Sequence, residues 1–270
     1  MNAALSLKTR HVLLASLNIL FYAGMLAVNA LANALPINGL DTGDVSAQYP
    51  NLFVPAGITF SIWALIYLLL FFYVVYGLYV SLTDTFDGVI TLKTQIIFSL
   101  TCLVNAGWIF LWHYKLIFLS ELAMLLFLAL LIRLFLDTEK LKLHGFIKAV
   151  AVKIPVSVYL GWITVATIAN TTALLVARNW GAWGIPENIW TMIMMTAALV
   201  LAVLMLYKRG NIAYSLVVAW ALIGIILKRT AQEYVYLDIV TAAYAILAVL
   251  TVLIVITLIK RPKVKPVREA

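Results

Sequence analysis

Eight long apolar runs leave this chain few ways to fold. They fall at 12–35, 56–82, 94–112, 116–136, 154–177, 188–206, 212–228 and 234–259. A helix rises about 1.5 Å per residue and the hydrocarbon core of a bilayer is about 30 Å thick, so about 20 apolar residues cross it. The runs predict an all-α fold, a polytopic membrane helical bundle of about eight transmembrane helices. The stretch 94–136 is read as a hairpin broken at His113-Tyr114-Lys115, because one helix of that length is too long for a single crossing. A second tight break falls at Lys208-Arg209-Gly210-Asn211. Composition agrees: 65% of residues are hydrophobic and 11% charged, against about 45–50% and about 25% in soluble domains. Too little polar surface remains to coat a soluble globule. A cytosolic enzyme, a secreted disulfide scaffold and a disordered chain are excluded. The single cysteine, Cys102, rules out an internal disulfide or a cysteine metal cluster.

The net charge of +8 is explained by where the cations stand, not by nucleic acid. With the N-terminus inside, Lys8, Arg10, Lys93, Arg133, Lys140, Lys142, Lys148, Lys153, Lys208, Arg209, Lys260, Arg261, Lys263, Lys265 and Arg268 share one face. Only Lys115, Arg178, Lys228 and Arg229 lie on the other. Fifteen against four places both termini in the cytoplasm of a multi-pass protein of the cell (inner) membrane. The first run is too long for a cleaved signal peptide, and Asn18, Asn29 and Asn33 suit a helix packed inside a bundle. The C-terminal run 260–265 reads first as a solvated topology anchor and second as a headgroup contact. The outer loop 36–55 is rich in Pro, Gly, Asp and Asn and has no basic residue; it reads as a lid rather than a spacer.

Polar groups at membrane depth are costly and face the bundle interior. Glu121 is expected near the outer interface beside Lys115, and Asp238 beside Lys228 or Arg229. Neither has a second carboxylate at a catalytic spacing, so acid–base chemistry is not signalled. His11, His113 and His144 fall at span ends or in loops, where a histidine is usually a surface residue, and no metal is expected. Asn105 and Asn170 read first as interhelical hydrogen-bonding amides and second as pocket groups. Trp112, Trp180, Trp183 and Trp190 suit an interfacial belt. Trp63, Trp108 and Trp162 sit deeper, as core or as flat pocket walls.

Three segments carry a resemblance. PAGITFSIWALIY places Pro55, Phe60, Trp63 and Tyr67 in order; TQIIFSLTCLVNAGWIFLW supplies Gln95, Asn105 and Trp108; IPVSVYLGWITVATIAN supplies Pro155, Tyr159, Trp162, Ala166 and Asn170. In this the chain resembles the TspO/MBR family of tryptophan-rich sensory and translocator proteins, five-helix membrane proteins. Trp162, Ala166 and Asn170 recur every four residues and share one helical face. That family lines its ligand pocket with this stripe. The resemblance covers about 12–177 and implies a five-helix bundle over 1–177, with 178–270 as three added helices and a basic tail. Departures are Gly57, where the family has a Trp, and a loop without the usual tryptophans.

The resemblance implies a pocket of Trp63, Tyr67, Asn105, Trp108, Trp162, Ala166 and Asn170 for a planar apolar molecule: a tetrapyrrole, a sterol or a related lipid-like compound. The protein would act as a sensor, receptor or carrier. No built-in cofactor is expected beyond such a porphyrin-type or lipid ligand. Expected partners are the bilayer, the ligand and a second copy of the chain. A solute permease is the alternative, weakened by the absence of a visible repeat and of proline within the spans. A structural membrane protein that uses only the TspO-like fold stands beside it as an alternative, and an intramembrane enzyme ranks below both.

Overall fold

Local chemistry starts and stops the helices. The computed structural model describes residues 6–83, 90–140, 146–232 and 235–260. Lys142, His144, Arg261, Lys263, Lys265 and Arg268 lie outside the described residues. Helix α1 (Leu7–Ala34) starts at Ser6, whose hydroxyl accepts the Thr9 amide at 3.1 Å. A short helix α2 (Thr42–Ala47) stands in the connection to α3 (Ile62–Thr83), which a 3-10 turn over Gly57–Ser61 precedes. Helix α4 (Leu92–His113) opens with a reciprocal Thr91–Thr94 cap. It turns through Lys115, held at φ 58°, into α5 (Ile117–Glu139). One turn, α6 (Phe146–Lys148), and a π-helical turn over Ala149–Lys153 lead into α7 (Ile154–Ala177). Helix α8 (Glu187–Arg209) ends on left-handed Gly210, and α9 (Ile212–Thr230) and α10 (Leu237–Lys260) complete the chain.

Eight of these helices are long and apolar enough to span a membrane, and no strand occurs among the described residues. The chain is therefore a polytopic membrane helical bundle. Helices α1, α3, α7, α5 and α4 pack in a closed ring, each against the next and α4 back against α1. Helices α8, α9 and α10 pack on one another and dock on the ring through α9 against α7. Helix α7 thus has protein on both sides. Its apolar residues run all round, as a fully enclosed helix requires, and Val156, Tyr159, Trp162, Ile163 and Val165 are all buried.

The connection 36–55 is built rather than loose. Asp41 accepts the Asp44 amide at 2.7 Å, capping α2. Val45, Leu52, Phe53 and Val54 are buried, and the Ala56 amide donates to the Gly224 carbonyl of α9 at 2.9 Å. At the opposite end of the ring, Asp137 gathers Lys93 (3.2 Å) and Arg133 (3.0 Å), and Lys153 pairs with Glu139 (3.3 Å).

Candidate functional site

Polar side chains meet inside the ring in a chain of interhelical hydrogen bonds. At the start of α1, Gln95 pairs with His11 at 3.1 Å. One level on, Ser99 donates to Asn18 at 2.6 Å. At mid-depth Asn29 of α1 donates to Asn105 Oδ1 (2.6 Å), and Asn105 Nδ2 donates to the Tyr159 hydroxyl of α7 (3.0 Å). Nearest the loop, Trp108 Nε1 donates to Asn170 Oδ1 (3.1 Å) and Asn170 Nδ2 donates to Glu121 Oε2 (2.7 Å). Thr171 completes the carboxylate by donating to Glu121 Oε1 (2.7 Å). Asn105 and Asn170 therefore do what an amide in hydrocarbon usually does, joining helices.

Several residues sit otherwise than the sequence suggested. Glu121 does not pair with Lys115. It points one turn into α5, toward α7, where two neutral donors take the place of a cation. Asp238 accepts from Asn188 of α8 rather than from Lys228 or Arg229. His113 is fully buried, not a surface residue: Nδ1 meets the Ile37 carbonyl at 3.2 Å and Nε2 meets the Thr42 hydroxyl at 3.1 Å. His11 is likewise buried. Trp112 ends its span as expected but faces inward, buried and donating to the Thr42 carbonyl at 3.2 Å. The end of α4 thus pins the 36–55 connection down. Trp180, Trp183 and Trp190 do cluster at helix ends, with ring centroids 5.2–5.7 Å apart.

Two cavities lie beneath the pinned connection. A slot of about 60 Å³ is roofed by Thr42, Ser46, Val54 and Pro55 and walled by Trp63, Trp108, Trp162, Ala166 and Asn170. A chamber of about 510 Å³ runs beside it between α1 and α3, against Asn29, Asn33, Ala64, Tyr67 and Trp108. Thr42, Phe60, Trp63 and Trp108 belong to both. Five of the seven expected pocket residues therefore line the slot, Tyr67 lines the chamber, and Asn105 lines neither because its amide is spent on Asn29 and Tyr159. The Trp63 ring stacks on Tyr67 (5.5 Å) and meets Trp162 edge-on (6.3 Å). Among the described residues no three His, Cys, Asp or Glu side chains converge. What the site offers is ring faces and amides, with the Glu121 carboxylate behind Asn170.

A family model described as a TSPO-like protein matches residues 15–256. The chain belongs to the TSPO-like family. The match takes in all eight long helices, so it extends well past residue 177, where the visible resemblance stopped. Comparison with curated proteins and with solved structures finds no match. In this TSPO-like protein the residues that sequence reasoning missed are Thr42, His113 and Trp112, the pins of the roof. Their signal was faint: a Trp-His pair ending an apolar run looks the same at a membrane surface.

Proposed function

We propose that this TSPO-like membrane protein binds a planar apolar small molecule, of the tetrapyrrole, sterol or lipid-like class, in the chamber walled by Trp63 and Trp108. The observation carrying the reading is the shared wall: a chamber of about 510 Å³ and the Ala166 slot meet at the same two indoles. Ligand pockets are commonly about 300–1,000 Å³, so the chamber has room for a drug-sized ring system and the 60 Å³ slot alone does not. The slot receives only an edge or substituent. Trp162 lines it, and its indole N–H is buried without an acceptor among the described residues. A carbonyl or carboxylate edge on the ligand would fill that need. The TspO-like sensor or carrier role rests on the same pocket, and the five-helix unit with three added helices is part of the proposal.

Protoporphyrin titration, read by quenching of tryptophan fluorescence, tests it. Saturable quenching is expected from the parent. Ala166→Phe overfills the slot and should weaken binding per folded molecule about tenfold, about 1.4 kcal/mol. Binding by a well-folded Ala166→Phe as tight as the parent's would reduce the stripe to helix packing. Unsaturable quenching with movement of a polar solute in liposomes would favour a permease. We further propose that both termini are cytoplasmic in a cell (inner) membrane. A reporter at Gly43 should then read external and one after Ala270 cytoplasmic; the reverse pair refutes the orientation.

A further inference from the structure

A second pair of cavities lies outside the ring, where α7, α8 and α9 meet the 50–54 segment. One, of about 390 Å³, is lined by Lys228, Arg229, Gln232, Tyr236 and Glu187. The other, of about 450 Å³, is lined mainly by apolar atoms of α7 and α8, among them Ile168, Leu175, Val176, Trp190 and Met194. Pro50, Asn51, Leu52 and Glu187 line both, so the two lie side by side along the 50–52 segment.

Arg229 is the anomaly. It is 2% exposed, yet no carboxylate pairs with it among the described residues. Nη1 donates to Gln232 at 2.8 Å, Nη2 reaches the Val54 carbonyl only at 3.4 Å, and Nε has no acceptor. The one carboxylate lining the cavity, Glu187, is exposed, accepts the Leu52 amide at 2.8 Å and acts on Arg229 only as a charge beyond ion-pair contact. A buried cation with no carboxylate in contact is costly, and a guanidinium edge matches a carboxylate or phosphate. Lys228, half-buried on the same wall, adds a second cation.

We propose that this paired cavity binds an anionic amphiphile, its oxyanion head at Arg229 and Lys228 and its apolar body in the chamber between α7 and α8. A fatty acid and an anionic phospholipid share that chemistry. The site shares Ser46 and Val54 with the roof of the slot but neither the indole wall nor the stripe, so substitutions at Arg229, Lys228 and Met194 test it apart from the chamber at Trp63.

The full-length protein in phosphatidylcholine nanodiscs, titrated with the fluorescent fatty acid cis-parinarate and read by energy transfer from tryptophan, provides the test. Saturable transfer is expected, displaced about tenfold better by oleate than by oleyl alcohol. Arg229→Gln should abolish that preference. Should this variant fail to fold, Lys228→Gln should reduce the preference, and Met194→Trp, which fills the apolar part, should block parinarate with parent-like melting. Competition by phosphatidylglycerol points to a membrane lipid as the natural occupant; competition by oleate alone points to a free fatty acid; either supports the site. Equal displacement by oleate and oleyl alcohol, or full preference retained in folded Arg229→Gln or Lys228→Gln, overturns it.

Discussion

The five-helix ring and the three-helix layer are held together by different chemistry. Inside the ring, amides, hydroxyls, a histidine and a carboxylate link α1, α4, α5 and α7 at successive depths. Between α8, α9 and α10 the buried residues are mostly small or aliphatic, such as Ala198, Ala202, Ala221, Ala243, Ile239 and Leu250. Among the described residues the one polar link deep in that layer is Ser215 Oγ, 3.3 Å from the Ala202 carbonyl. Lipid tails are as apolar as leucine, so helices in a membrane associate through close packing or through polar contacts. The layer relies on the first means and the ring on the second.

The sharpest break in this comparison should come at the junction. A Cβ on Gly224 would stand 2.8 Å from Pro55 Cβ and would strike the Thr59 side chain as well. Gly224→Ala should therefore separate layer from ring, at about 3 kcal/mol or more, because neither neighbour is the free end of a flexible chain. Gly107→Ala, with nothing within 4 Å of its Cβ, is the control and should melt like the parent. Equal melting of the two variants would mean that the 55–59 segment is not a fixed joint.

Next in size is Asn170→Leu. It removes the acceptor of Trp108 and one of the two interhelical donors to Glu121, leaving a buried carboxylate short of partners. A loss of about 1–3 kcal/mol follows from that desolvation. Asn170→Asp should be worse still, with two carboxylates in one site, and lowering the pH should recover part of the loss. If Asn170→Leu instead kept its melting temperature and lost porphyrin quenching, the amide would belong to the ligand more than to the ring.

The smallest effect belongs to the layer. Ser215→Ala deletes a long bond that the hydroxyl already shares with the Asn211 carbonyl of its own helix. About 0.6 kcal/mol or less is expected by thermal melting, near the average for hydrogen bonds between membrane helices. A loss as large as that of Asn170→Leu would erase the distinction between the two regions.

Much of the fold was legible because bilayer thickness imposes a length on every crossing. The hairpin at 113–116 and the stop at Gly210 follow from short polar breaks in apolar runs, and both stand where the sequence placed them. The pocket stripe was legible for a similar reason: spacing of four on a helix puts Trp162, Ala166 and Asn170 on one side whatever surrounds them. Partners were not legible. Lys115 is close to Glu121 in sequence, but the left-handed turn at Lys115 and the start of α5 send the carboxylate toward α7. His113 and Trp112 looked like surface residues until the 36–55 connection folded onto them.

By itself, then, the sequence determined the membrane-spanning helices, their approximate bounds and the face that Trp162, Ala166 and Asn170 share, since hydropathy and helical period act locally. Only the tertiary structure decided which helices close the ring and that the slot near Ala166 is small while the chamber past Trp63 is large. It also decided that Arg229 is buried with no carboxylate in ion-pair contact among the described residues. Those outcomes depend on which surfaces meet across tens of residues. In a chain this apolar nearly every face could meet another, so the choice falls to a few polar groups and small residues that tolerate only one arrangement.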